Sequence, residues 1–307
     1  MTSQHIVFDQ ALIKRYDKAG PRYTSYPTAV QFHEGFGEAE YRAWAERTNA
    51  SGRPLSLYFH IPFCDTVCFY CGCNKVVTKN RTRSAPYLER LHREIALQGD
   101  LFDRSRTVDQ LHWGGGTPTF ISHEEMEGLM RVTGEHFTLR DDDSGEYSIE
   151  IDPREVKPDT IALLRRIGFN RMSLGVQDFE PKVQAAVNRN QTEEETMAVL
   201  DAARREGFKS ISLDLIYGLP FQSVASFRRT LEKIIDISPD RLSVFNYAHL
   251  PELFKPQRRI NAGDLPAPQE KLDILQATIE TLTGAGYVYI GMDHFAKPDD
   301  ELAVAQR

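Results

Sequence analysis

The chain has 307 residues, 41% hydrophobic and 26% charged, with a formal net charge of −7. That composition suits a globular protein long enough for an α/β barrel of about 250 residues, and its acidity argues against nucleic acid as a partner. No apolar run of about 18 residues is present to span a membrane, and the opening "MTSQHIVFDQALIKRYD" lacks the apolar centre of a secretory leader, so a cytoplasmic setting with reduced thiols is expected.

Residues 1–54 are the least regular part. The stretch "GPRYTSYPTAVQFHEGF" (20–36) reads as an extended arm, and 38–50 as a helix. From residue 55, strand and helix patterns alternate. A strand over 55–61 precedes a helix over 86–98, where Leu88, Leu91 and Ile95 recur at helical spacing. A strand over 108–113 precedes a helix opened by Ser122 and Glu125, which have the spacing of a capping box. Strands over 147–152, 170–177, 209–216 and 241–250 then alternate with helices over 158–168, 192–207, 223–236 and 267–286. A last short strand opens at 287–292.

Such alternation implies parallel strands joined by right-handed crossovers. The strands have two unlike faces. Leu55, Leu57, Phe59 and Ile61 oppose Ser56, Tyr58 and His60; Met172, Leu174 and Val176 oppose Ser173, Gly175 and Gln177. A parallel strand covered on both faces should read as nearly continuous aliphatics. A polar face bearing Glu150, Gln177 and Asp214 instead predicts a cavity. The expected fold is α/β: a partial, open TIM-type barrel of about six parallel strands with outer helices, preceded by the N-terminal arm. A doubly wound sheet with polar residues at its strand ends is the alternative.

All four cysteines fall within ten positions, at Cys64, Cys68, Cys71 and Cys73, just after the first strand. Disulfides are disfavoured, because loops this short add little stability. Zinc needs a tetrahedral set, which Cys64, Cys68 and Cys71 could complete with Cys73 or His60, but zinc sites usually pair two knuckles across a longer spacer. Three thiolates in one loop can instead hold three irons of a [4Fe–4S] cluster and leave the fourth iron open to an outside ligand; electron-transfer clusters use four cysteines. The glycines of "WGGGTPT" (113–119) end the second strand and let backbone approach a ligand.

The three-cysteine loop, with Tyr70 before its third cysteine, resembles the radical S-adenosylmethionine superfamily. Within it, "GPRYTSYPT", "YFHIPFC", "CFYCGCNK", "LHWGGGTPT", "IEIDPRE", "RMSLGVQDF", "VNRNQ" and "DLIYGLP" resemble the oxygen-independent coproporphyrinogen III oxidase family in order across residues 20–220. The resemblance implies Cys64, Cys68 and Cys71 as cluster ligands. It implies Tyr58, Gly115, Gly116, Thr117, Glu150, Gln177, Arg189 and Asp214 as contacts to S-adenosylmethionine, two molecules of it, with Arg189 facing a methionine carboxylate. Tyr58 and Cys73 are expected in catalysis, Cys73 as a non-ligand. The implied substrate is coproporphyrinogen III, with an unidentified one-electron donor and a final electron acceptor. Arg22 and Tyr23 in the arm are candidates to hold this tetracarboxylate, ahead of Lys75, Lys79, Arg81 and Arg83. The implied reaction turns two propionates into vinyl groups, giving protoporphyrinogen IX in haem biosynthesis.

The expected domains are the arm and helix at 1–54, the radical barrel at 55–300 and a truncated C-terminal segment at 301–307, with the family's helical C-terminal domain missing and the chain monomeric. The alternatives are a haem chaperone of the same superfamily, which usually lacks the Cys-x-Cys extension and the aromatic arm, a radical methyltransferase, and, outside this chemistry, a zinc-stabilised binding module.

Overall fold

Six strands pair in parallel in chain order: β1 (Leu55–Ile61), β2 (Thr107–Gly115), β3 (Glu146–Ile151), β4 (Arg171–Gln177), β5 (Ser210–Tyr217) and β6 (Arg241–Asn246). The structure is a computed structural model and describes residues 6–16 and 27–307. Helices α1 (Ser84–Gly99), α2 (His123–His136), α3 (Pro158–Arg166), α4 (Glu193–Arg205), α5 (Val224–Ile237) and α6 (Pro268–Gly284) follow the six strands in turn. The helix starts are written in local chemistry. Ser122 Oγ accepts from Glu125 N at 3.2 Å while the Glu125 carboxylate accepts from Ser122 N at 2.7 Å. Thr192 and Glu195 repeat the exchange at 3.1 and 2.8 Å.

The aliphatic strand faces pack against these helices in one continuous core that includes Leu111, Ile149, Leu174 and Leu213 from the sheet and Leu129, Leu164, Leu200 and Leu231 from the helices. Each such side chain contributes about 1.5–3 kcal/mol by leaving water. Trp113 is 0% exposed and meets Phe169 edge to face at 4.9 Å. The opposite faces line up by register. Glu150 lies beside Ser173 and Ser173 beside Ser212; Gly175 lies beside Asp214 and Asp214 beside Ser243. One cavity of about 350 Å³ takes Ser56, Gln110, Ser148, Ser173, Ser212 and Ser243, one residue from each strand, so the sheet curls around a polar lumen. This is the open barrel expected from strand alternation, and not a doubly wound sheet.

The last strand differs from expectation. A hairpin, β7 (Val288–Gly291) and β8 (His294–Ala296), ends the sheet, and β8 rather than β7 joins β6, antiparallel. Met292 and Asp293 turn it with φ of 48° and 70°, the left-handed geometry of a tight hairpin turn. Neither residue is the asparagine or glycine that normally signals such a turn, so the sequence hid it. The sixth strand also stops at Asn246, before the proline at position 251, instead of running to 250. Short helices at Gln10–Tyr16 and Pro181–Ala186 were not foreseen, whereas the one at Glu38–Asn49 was.

The segment after residue 300 is a helix, Glu301–Gln306, docked beneath the lumen. Arg241 meets Asp300 at 2.8 Å and Glu301 at 3.2 Å, and Arg171 pairs with Glu301. Among the described residues, no helix is long and apolar enough to cross a membrane.

Candidate functional site

The cysteine loop begins where β1 ends, at the C-terminal mouth of the barrel, where such folds carry their chemistry. A two-residue ladder of Phe63–Cys64 with Val76–Val77 closes its base. Its far side is pinned by Phe69 N to Val187 O at 2.9 Å, Asn188 Nδ2 to Val67 O at 2.8 Å and Gln257 Nε2 to Tyr70 O at 3.0 Å. These bonds hold Cys64, Cys68 and Cys71 around one chamber of about 230 Å³.

The end of β2 forms the chamber's second wall. Gly115 has φ of +119°, and a Cβ there would lie 2.8 Å from the His60 ring. A Cβ on Gly116 would lie 2.7 Å from Phe63 O, so only glycine lets this backbone sit against the cysteine segment. Gly116 N and Thr117 N then bond Ile61 O and Phe63 O at 2.8 and 2.7 Å, which fixes the approach to Cys64.

The lumen supplies the rest. Glu150 accepts from Gly115 N at 3.1 Å and lies 3.4 Å from His112 Nε2. Burial pushes the Asp214 carboxyl up to about 6, against hydrogen bonds from Ser173 and Ser243. Gln177 holds a φ of +69°, and its buried Oε1 has no partner. Arg189, 5% exposed, meets Asp152 at 3.0 Å and Gly175 O at 2.6 Å, leaving its buried Nε unpartnered. Thus the carboxylate it already faces belongs to the chain itself.

The thiols differ. Burial raises Cys64 to about 11. A hydrogen bond from Cys73 and the nearby Lys75 ammonium bring Cys71 down to about 5, while the same bond and burial raise Cys73. Cys73 N donates to Cys71 Sγ at 3.4 Å, and all four cysteines are free.

Tyr58 does not line the chamber; it is 57% exposed and stacked on His112 at 5.8 Å. The His60 Nε2 lies 2.8 Å from Asn74 O, which can only accept, so Nε2 carries the proton. Nδ1 then accepts from the Tyr58 hydroxyl at 2.9 Å, leaving the phenol oxygen's lone pairs for another donor. Arg22 and Tyr23 lie outside the described residues. Of the other candidate cations, Arg81 meets Asp65, Phe120 O at 2.7 Å and the Phe120 ring, and Lys75 lines the chamber and donates to Cys71 O at 2.9 Å. Lys79 and Arg83 do not line the chamber.

Sequence reading passed over Asp152 and Arg154 as site residues, although both line the chamber. The available signal was an acidic and a basic residue flanking Pro153 at the C-terminal end of a barrel strand.

The chain belongs to the radical SAM superfamily, whose family model matches residues 58–234. More particularly, it is 61% identical to the oxygen-independent coproporphyrinogen III oxidase of Pseudomonas aeruginosa over 98% of this chain and 65% of the relative, and 54% identical to that of Escherichia coli over 100% and 66%. The solved coproporphyrinogen III oxidase of Escherichia coli superposes with a TM-score of 0.93 at 53% identity, covering 99% of this chain and 67% of the other. The chain thus spans about two thirds of the length of these curated relatives. The cofactors of this superfamily are a [4Fe–4S] cluster and S-adenosylmethionine. Three thiols, two glycines with no room for a Cβ, and unpartnered buried atoms on Gln177 and Arg189 fit that pair of groups.

Proposed function

We propose that Cys64, Cys68 and Cys71 ligate the [4Fe–4S] cluster, and that the protein decarboxylates coproporphyrinogen III oxidatively without oxygen. Two propionates become vinyl groups and the product is protoporphyrinogen IX. The observation that carries this reading is the meeting of three thiols with Glu150, Gln177 and Asp214 in one chamber at the mouth of the barrel. When bound, the cluster, which Cys64, Cys68 and Cys71 would hold, and S-adenosylmethionine would supply the one-electron chemistry needed to take hydrogen from a propionate β-carbon.

The chain's own residues bind and orient. Glu150 and Asp214 offer carboxylate oxygens to ribose hydroxyls, and Gln177 Oε1 offers a further acceptor. Gly115, Gly116 and Thr117 bring backbone close to the methionine moiety. Arg189 adds positive charge for its carboxylate. Tyr58 presents its oxygen, held by His60. Cys73 stands beside Cys71 without ligating. Two S-adenosylmethionine molecules share this set, and Arg22 and Tyr23 serve the substrate. An external donor provides the electron and a separate acceptor takes the last one.

Anaerobic reconstitution followed by iron and sulfide analysis tests the ligand set. Incubation with S-adenosylmethionine, reductant and coproporphyrinogen III, on this chain and on a longer version, tests the reaction. Release of 5′-deoxyadenosine and protoporphyrinogen IX is expected. Colourless protein with one zinc would end the cluster assignment, and tight haem binding without turnover would replace the oxidase reading with the chaperone.

A further inference from the structure

The three thiols of the loop sit in unlike electrostatic surroundings. The neutral hydroxyl of Thr117 reaches Cys64, and Cys73 and Lys75 reach Cys71. Cys68 is met by two guanidiniums: Arg154 Nη2 and Arg189 Nη1 each lie 3.7 Å from its sulfur, within range of N–H···S hydrogen bonds. Both guanidiniums also grip one carboxylate. Arg154 holds Asp152 through Nε at 2.9 Å and Nη2 at 2.6 Å, and Arg189 holds it at 3.0 Å. Two cations and one anion leave a single net positive charge behind Cys68.

Little water screens that charge. The side chains of Arg154, Arg189 and Asp152 are 15%, 7% and 11% exposed, so its field acts through a medium of low polarisability. Local backbone fixes the geometry. Asp152 Oδ1 accepts from Arg154 N at 3.2 Å across the Pro153 turn, which aims the arginine back at the loop. A thiolate that accepts hydrogen bonds from charged donors gives less electron density to its iron, and such bonds raise a cluster's reduction potential.

We infer that Arg154 and Asp152 together set the reduction potential of the cluster through Cys68, Arg154 raising it and Asp152 holding it down. Both are positioning residues, distinct from the groups that touch S-adenosylmethionine. The inference rests on Cys68 being a cluster ligand, as proposed above. It accounts for a buried cation pair on one thiol that binding the cofactor's carboxylate leaves unexplained.

The test uses anaerobically reconstituted wild type, Arg154→Gln, Arg154→Lys and Asp152→Asn, each assayed for iron and sulfide and then titrated electrochemically with the reduced cluster followed by electron paramagnetic resonance. Arg154→Gln removes the net charge and should shift the reduction equilibrium about tenfold toward the oxidised cluster, about 59 mV for one electron. Asp152→Asn keeps the acceptor for Arg154 N but doubles the net positive charge, so it should shift the equilibrium the opposite way. Arg154→Lys should stay nearer wild type than Arg154→Gln does. Loosening of the fold would not give shifts of opposite sign. Unchanged potentials, or shifts of the same sign, would overturn the inference. If Arg154→Gln fails to hold a cluster, the sign of the Asp152→Asn shift decides. Wild type without a four-iron cluster would instead overturn the ligand assignment.

Discussion

Asp214 makes the lumen a place where function opposes stability. Burial moves its carboxyl from 3.8 up to about 6, with Ser173 and Ser243 resisting the move. The neutral acid is therefore the form that the folded chain prefers. At 1.36 kcal/mol per pH unit, ionising this side chain costs the folded state about 3 kcal/mol relative to the unfolded chain. The sign follows from which state holds the proton longer. Below about pH 4 both states are protonated and nothing is lost. Between about pH 4 and 6 the unfolded chain releases its proton first, so stability falls, and the deficit persists above pH 6. Asp214→Asn keeps the shape and removes the charge. In urea unfolding of the metal-free protein, the variant should exceed wild type by about 2–3 kcal/mol at pH 8, and by less than about 1 kcal/mol at pH 4. An advantage of equal size at both pH values, or a less stable variant at pH 8, would refute the reasoning.

Gly116→Ala would place a Cβ 2.7 Å from Phe63 O and 2.8 Å from the carbonyl of Pro62, both rigid backbone, so the start of the cysteine loop must shift. A stability loss of about 1–3 kcal/mol in urea unfolding, with sub-stoichiometric iron after reconstitution, is expected. Trp113→Ala should cost about 3–5 kcal/mol in the same unfolding assay, because the ring is 0% exposed and packed on Phe169. Cys73→Ser should keep its iron and sulfide but lose 5′-deoxyadenosine formation coupled to substrate; loss of iron would make Cys73 a ligand.

Much of this architecture was legible because period-two alternation is a strong signal when one face is polar. In "RMSLGVQ", Ser173, Gly175 and Gln177 could be separated from Met172, Leu174 and Val176 without any structure, and the structure brings Glu150, Gln177 and Asp214 to one chamber. The Ser122 and Glu125 pair was readable for the same reason: its chemistry is complete within four residues. What escaped depends on distance in sequence or on atypical local chemistry. The ties between Cys68 and the guanidiniums of Arg154 and Arg189 span 86 and 121 positions, and no pattern announces them. The turn at Met292 and Asp293 puts left-handed backbone on a methionine, a residue that rarely adopts it. Tyr58 shares the polar face of β1, yet it does not line the chamber, because alternation fixes a side chain's face and not its depth.

The alternation along β3, β4 and β5 also divides those strands by residue parity. In β4 the even-numbered positions and in β5 the odd-numbered ones carry the aliphatics that hold the helices, and the other face of each carries small or polar groups that contribute little packing. Substitutions should therefore segregate in a saturation screen with a repeat of two. Changes at Leu174, Leu213 or Ile149 should lower the yield of folded protein, whereas changes at Ser173, Ser212 or Ser148 should leave yield intact and register only in what the lumen accepts. A barrel built this way can have its interior rewritten residue by residue while its frame stays fixed, because the two tasks seldom fall on the same side chain.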